Sequence, residues 1–298
     1  MTAALIDAVF YSMSIHDKKL KQLEEKANEI RQDIIKMLTH AGSGHSAGPL
    51  GMTDIFTALY FHVLKHNPKK PLLEERDRII LSNGHICPVQ YVTLASAGYF
   101  PKKELQTLRQ LNTRLQGHPH RGSLPGVENT GGPLGQGVSV AVGVALAAQL
   151  KGAHFETYCL TSDGELEEGQ TWEAFMFAGN YPLHNLTVIV DRNNIQIDGM
   201  TEDIQPLEPL RAKFEAFNFH VIDIDGHNMR EFVDACDRAR AVYEKPVAII
   251  AHTIPGKGVD FMEFDYLWHG KPPKPGVESR KALHDLRTLG GKIKSEHE

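Results

Sequence analysis

The sequence predicts an α/β fold: a doubly wound, mostly parallel sheet with helices on both faces. Two observations predict it. Short apolar runs that read as strands alternate along the chain with longer stretches of helical periodicity, the pattern of strand–helix–strand units whose crossovers are right-handed. Two of those runs end in polar clusters, Ser162-Asp163-Gly164 and Asp191-Arg192-Asn193-Asn194. Polar residues at the carboxyl ends of parallel strands lie where open α/β sheets bind ligands. With 298 residues, 41% of them hydrophobic, the chain has enough apolar surface for one large α/β domain or two smaller ones.

The elements follow in order. Asp17 to Leu38 reads as a helix, with Leu20, Leu23, Ala27, Ile30, Ile34 and Leu38 on one stripe and charges elsewhere. The glycine-rich loop Ala41-Gly42-Ser43-Gly44-His45 ends it, and Met52 to Leu64 forms a second helix. After a polar connection, Arg78-Ile79-Ile80-Leu81-Ser82 is a short buried strand, and His85 opens a helix to Ala97. Pro101 to Leu111 reads as a short helix. Leu115 to Gly137 is irregular and rich in glycine and proline, a length that inside a compact domain points to function or disorder. Disorder is disfavoured here, because the Ala/Val-rich helix Val138 to Leu150 follows at once and is expected to be buried. The strand Phe155 to Thr161, a helical stretch Glu165 to Tyr181 and the strand Leu186 to Val190 form one strand–helix–strand unit. Strand Phe219 to Ile224, helix Met229 to Tyr243 and strand Val247 to Ile254 complete the pattern. The organisation expected is an extension over 1–16, one domain over 17–280 and a charged tail over 281–298.

Bulk properties exclude several classes. A net charge of −5 leaves no basic footprint for nucleic acid. No apolar stretch approaches the roughly 18 residues that span a bilayer, and the first fifteen positions lack the basic start and cleavage site of a signal peptide. Cys87, Cys159 and Cys236 each sit alone in an apolar run, as buried free thiols do, which implies a reducing, cytoplasmic setting.

Chemistry concentrates at strand and helix ends. Asp163 and Asn193 emerge at neighbouring strand ends, and a carboxylate with an amide oxygen suits a hard cation such as Mg²⁺ that also takes phosphate oxygens. Four histidines sit beside glycines: Gly44-His45, Gly84-His85, Gly117-His118 and His269-Gly270. A transition-metal site at His118 and His120 is the competing reading, and it lacks a full ligand set nearby.

The segment from Ser162 to Asn193 resembles the Mg-diphosphate motif of thiamine diphosphate enzymes, with Ser162 where that motif normally has glycine. Ser43-Gly44-His45-Ser46-Ala47-Gly48-Pro49-Leu50-Gly51-Met52, Leu81-Ser82-Asn83-Gly84-His85, Thr130 to Gly137, Lys257-Gly258 and Trp268-His269-Gly270 together resemble transketolase, in that family's order. The resemblance runs from about Asn28 to Pro272 and covers the amino-terminal, diphosphate-binding part. It implies the diphosphate-binding type of the thiamine diphosphate fold. It also implies Asp163, Asn193 and the Ile195 carbonyl as Mg²⁺ ligands, with His85, Gly132, Leu134, Gly164, Asn193 and His269 toward the cofactor. His45, His118 and His269 would face the sugar and the reacting carbon. Glu168 resembles a carboxylate in the acidic network joining the two sites of the dimer; the alternative is a solvated helix residue.

The function this implies is ketol transfer between sugar phosphates. Thiamine diphosphate serves as electron sink in that chemistry, and histidines move protons near neutral pH. The family's aminopyrimidine-activating glutamate comes from a second, pyrimidine-binding domain. The resemblance therefore implies a separate partner chain, an α2β2 heterotetramer, and no turnover by this chain alone. Trp172, Phe175, Met176 and Phe177 are either part of the surface that the partner covers or core against the sheet. Deoxyxylulose phosphate synthesis, a 2-oxo acid dehydrogenase alpha subunit, ketol transfer on an unusual sugar, and a non-catalytic half that binds cofactor or partner stand as alternatives.

Overall fold

The structure, a computed structural model, describes residues 15–288; positions 1–14 of the expected extension over 1–16 and positions 289–298 of the expected tail lie outside the described residues. Five parallel strands form the central sheet: β1 (Arg78–Leu81), β2 (Thr157–Ser162), β3 (Leu186–Arg192), β6 (His220–Asp225) and β7 (Val247–His252). Their spatial order is β1-β2-β3-β7-β6. The chain steps one way from β1 to β3, passes over one position to β6, and returns through β7. Because each crossover is right-handed, that reversal puts helices on both faces.

Alternation along the strands sorts the side chains into two cores. On one face Ile79, Leu81, Tyr158, Leu160, Ile189, Ile222 and Ile249 pack against α1 (Asp17–Ala41), α3 (Thr53–Ala58), α4 (Cys87–Ala97) and α9 (Met229–Arg240). On the other, Ile80, Cys159, Val188, Val190, Val221, Ala248 and Ile250 meet α5 (Gln136–Lys151), α6 (Gly169–Asn180) and α8 (Leu210–Ala216). The three cysteines are free and buried. A helix over Val277–Thr288, α10, closes the described chain by laying Ala282 and Leu286 on α1, where the Asn28 amide donates to the Leu286 carbonyl at 3.0 Å. Among the described residues no helix is long and apolar enough to cross a membrane.

Several expectations change. Ala47–Gly51, which carries no assignment in the sequence, is a short buried helix, α2, and the expected helix Met52 to Leu64 divides into α3 and a wider turn over Leu59–Val63. Pro101 to Leu111 holds only a tight turn over Lys102–Thr107. The helical stretch from Glu165 breaks at Glu168, whose extended backbone separates a tight turn over Gly164–Glu167 from α6. Three elements have no counterpart in the sequence reading: the hairpin β4 (Ile195–Gln196) and β5 (Gly199–Met200), the short α7 (Thr201–Ile204), and α8. The Ala/Val-rich α5 is buried on one face only. Val140 is 43% and Leu150 79% exposed, and Gly143 and Ala147 are exposed between them. That face has no partner among the described residues.

The α6 aromatics divide between the two readings. Phe175 is fully buried against Phe214 and Phe219, and Trp172 is half-buried against Phe217. Met176 and Phe177 face outward at 59% and 38% exposure.

Candidate active site

At the carboxyl ends of β1, β2 and β3, a cleft of 670 Å³ is lined by His45, His85, His118, Gly132, Leu134, Ser162, Gly164, Glu165, Glu167, Glu168, Ile195 and His269, with the β4–β5 tip along one lip. Residues from six separate stretches of sequence converge there.

Asp163 follows directly on β2 and is completely buried. Its Oδ1 accepts from the Gly164 N–H at 2.8 Å; its Oδ2 accepts from the Asn194 N–H at 2.6 Å and from Arg192 at 3.1 Å. Burial pushes its carboxyl up to about 6, against the opposing pull of the Arg192 guanidinium. Asn193 is fixed from both ends: its Nδ2 donates to Asp191 Oδ2 at 2.9 Å, and its Oδ1 accepts from the Ile195 N–H at 3.0 Å. Asp191 is itself buried and accepts from the Thr253 hydroxyl, so it holds the Asn193 oxygen away from itself. Arg192 spans Asp163, Thr201, Glu202 and Glu208, which ties the strand end to the segment around α7.

This donor set fits a hard divalent cation. Among the described residues no group of three or more His, Cys, Asp or Glu side chains is placed to hold a metal ion by itself, so a cation held here depends on one carboxylate, an amide oxygen, a carbonyl and ligand oxygens. Mg²⁺ on a diphosphate takes that kind of shell. When bound, the cation would be held by Asp163, Asn193 and the Ile195 carbonyl and would neutralise the diphosphate.

Four histidines line the cleft, and three of them cluster. The rings of His45, His85 and His269 lie 4.9 to 5.5 Å apart, centroid to centroid. Nδ1 of His45 and Nδ1 of His269 are buried and have no hydrogen-bond partner among the described residues. Buried polar atoms are nearly always paired, so these two are placed for a bound group. Burial, together with the neighbouring His269, Arg109 and His118, lowers His45 to about 4; burial lowers His269 to about 4 as well. His85 is held well below the usual imidazole range by burial and the other three rings, and His118 is lowered by burial and by Arg109. All four rings are therefore neutral at pH 7, each with one donor and one acceptor nitrogen. Gly132 approaches the His118 ring with φ 134°, a conformation side chains rarely adopt, and so opens backbone to a ligand.

A stability prediction follows from these shifts. Protons bind the histidines more weakly in the folded than in the unfolded chain, so the folded state loses stability as pH falls from about 6.5 toward 4. Thermal melts should show that decline, and His45→Gln with His269→Gln should make the curve flatter across that window. Identical slopes would mean that the two rings are not held neutral by the fold.

Glu165 carries no signal of its own in the sequence, yet it organises the cleft. It is fully buried, and its carboxylate accepts from Ser82 Oγ at 2.6 Å, Thr161 Oγ1 at 2.5 Å and the Gly135 N–H at 2.5 Å. It thereby pins the loop carrying Gly132 and Leu134 to the ends of β1 and β2. Burial raises its pKa, while the three donors favour the ionised form. Its partners lie up to 83 positions away, so no local pattern reveals it. Glu168 is exposed at the start of α6, on the cleft rim.

Fold and cleft together define a doubly wound α/β domain with a polar cleft at the strand ends, where such sheets bind ligands. Residues 23–283 match the family model for the transketolase thiamine diphosphate-binding domain. The chain is 44% identical over 241 residues to one subunit of the 6-deoxy-6-sulfo-D-fructose transketolase of Clostridium sp. (strain MSTE9), covering 81% of this chain and 88% of that protein. It is 40% identical to one subunit of the apulose-4-phosphate transketolase of Actinobacillus succinogenes, covering 92% and 99% respectively. Transketolase from Pichia stipitis superposes with a TM-score of 0.84 at 32% identity, covering 89% of this chain and 40% of that one. The chain belongs to the transketolase family and constitutes its thiamine diphosphate-binding part. It spans less than half the length of that solved transketolase and nearly the whole length of the separate subunits it matches.

Proposed function

We propose that this chain is the cofactor-holding half of a two-chain transketolase that moves a two-carbon ketol unit from a ketose phosphate to an aldose phosphate. The observation that carries this reading is a cleft lined by four histidines together with Gly132, Leu134, Gly164 and Ile195, beside the buried Asp163 and Asn193, in a chain matched over residues 23–283 by the family's diphosphate-binding domain. Thiamine diphosphate supplies the carbanion-stabilising chemistry when bound. Asp163, Asn193 and the Ile195 carbonyl would bind its Mg²⁺. His85, Gly132, Leu134 and Gly164 would shape the pocket around it, and His269 would serve both the diphosphate and the substrate. His45, His118 and His269 would donate to and accept from sugar hydroxyls and the carbonyl oxygen, since each neutral imidazole offers one donor and one acceptor nitrogen.

The partner supplies the pyrimidine-binding half, and the assembly is an α2β2 heterotetramer. The uncharged outward face of α5 (Ser139, Val140, Gly143, Ala147) and the outward Met176, Phe177 and Tyr181 of the α6 region support an assembly surface. Glu168, exposed beside this surface, fits the acidic network between paired sites. Buried free thiols fit a reducing, cytoplasmic setting. The two relatives compared above are named for a sulfo-sugar and for apulose 4-phosphate. Those names support the ketol-transfer reading and bring unusual sugars into its substrate range.

Substitution of the histidines tests the chemistry. His118→Ala or His269→Ala in the assembled enzyme should lower ketol transfer roughly a hundredfold or more, the usual scale of general acid–base catalysis. The melting temperature should stay within a few degrees, as for changes that cost under about 1 kcal/mol. Unfolding at low temperature with unchanged specific activity in the remainder would assign both rings to structure instead.

A further inference from the structure

We propose that Arg109 is a positioning residue that ties the loop carrying His45 to the loop carrying His118 and presents a fixed positive charge to both rings. Its Nη1 donates to Ser43 Oγ at 3.0 Å, two residues before His45. Its Nη2 lies 3.4 Å from the carbonyl oxygen of Gly117, the residue before His118. The guanidinium lies flat on Gly117: a Cβ there would stand 2.9 Å from Arg109 Cζ and 3.0 Å from Nε. Glycine at 117 is therefore what admits the arginine. On the other loop, a Cβ on Gly44 would come within 3.9 Å of Arg109 Nε.

The backbone is shaped to this end. Arg109 has φ 60°, a left-handed conformation that is uncommon for a residue with a side chain and costs on the order of 1 kcal/mol or more. Its N–H donates to the Leu115 carbonyl at 3.0 Å, closing the turn that carries the guanidinium. An exposed arginine held in that conformation, with its side chain spent on two functional loops rather than on a carboxylate, serves the site.

The charge has a chemical use. The groups acting on His45 are His269 from the turn after Tyr266, His118 and Arg109, with the His85 ring beside it; the group acting on His118 is Arg109. A guanidinium next to an imidazole opposes its protonation. Two of the five N–H donors of the arginine serve the loops. A lysine would keep the charge and lose the fork that grips two loops.

This inference rests on the ketol-transfer reading for its rate effects but not for its charge effect. The test uses the full chain with Arg109→Gln and Arg109→Lys. Ring nitrogen NMR titrations follow His45, His118, His85 and His269 in the chain alone, and kcat/KM is measured in the assembled enzyme. In Arg109→Gln the midpoints of His45 and His118 should rise while those of His85 and His269 hold still, and kcat/KM should fall about tenfold or more. In Arg109→Lys the midpoints should stay near wild type while kcat/KM still falls. Unmoved His45 and His118 midpoints in Arg109→Gln, or kcat/KM within twofold of wild type in both variants, overturns the proposal. If the wild-type assembly transfers no ketol unit, the functional reading fails and the titration alone decides the role of Arg109.

Discussion

Asp163→Ala will cost the assembled protein at least about a hundredfold in Mg²⁺-dependent thiamine diphosphate affinity, close to 3 kcal/mol. The carboxylate is the one anionic side chain in the proposed cation shell, and it sits fully buried, where a charge lost is not replaced by water. Asn193→Ala removes a neutral oxygen from the same shell and should cost less, on the order of tenfold. The order of the two effects is the informative part. The fold should survive Asp163→Ala, because Arg192 retains Glu202 at 2.6 Å and Glu208 at 3.0 Å and is not stranded as an unpaired buried cation. Titration calorimetry with thiamine diphosphate and Mg²⁺ reads both variants. Unchanged affinity in both would remove Asp163 and Asn193 from the site.

The contrast between Asp163 and Glu165 shows how far the sequence can be read. Asp163 sits directly after an apolar run and just before glycine, so its place at a strand end follows from local pattern. Asn193 is equally plain after Leu186 to Val190. The histidines are legible because each abuts a glycine in a loop. Glu165, two residues beyond Asp163, looks like one more acid in an acidic run. Its role depends on Ser82 and Gly135, brought near only by sheet order. Asp191 and Arg192 are hidden for the same reason, since their partners Thr253 and Glu208 lie on other elements.

The fold is legible where burial imposes periodicity and is not where it does not. All five sheet strands carry continuous or alternating apolar runs, which place each within a few residues of its observed ends. The β4–β5 hairpin has two residues per strand, and α7 has four; both are too short to show a period. The α2 helix has the composition of a loop, because Ala47–Gly51 contains two glycines and a proline. It is held as a helix by its complete burial and by the Gly256 N–H, which donates to the Ala47 carbonyl at 2.9 Å. For α5, apolar composition does not translate into burial within one chain. An Ala/Val-rich helix half exposed in isolation is what an assembly surface looks like before its partner is present.

The second large effect concerns the half of the site that the proposed partner supplies. The described residues bring together the strand ends that carry Asp163 and Asn193, a histidine cluster and a glycine-lined loop. The glutamate that the family uses to activate the aminopyrimidine belongs to the pyrimidine-binding domain, whereas residues 23–283 of this chain match the thiamine diphosphate-binding domain. A group that moves a proton in the transition state is worth about two to four orders of magnitude, and much of the sugar-phosphate grip is expected to come from the same partner. The chain by itself should therefore be inert however well it binds cofactor.

A ketol-transfer assay tests this most directly, run on the rigorously purified chain with thiamine diphosphate and Mg²⁺, then repeated after adding the chain that supplies the pyrimidine-binding half. The half-site account predicts no turnover from the first sample and full turnover from the second, in a complex whose mass corresponds to two copies of each chain. Full activity from the single chain would contradict it.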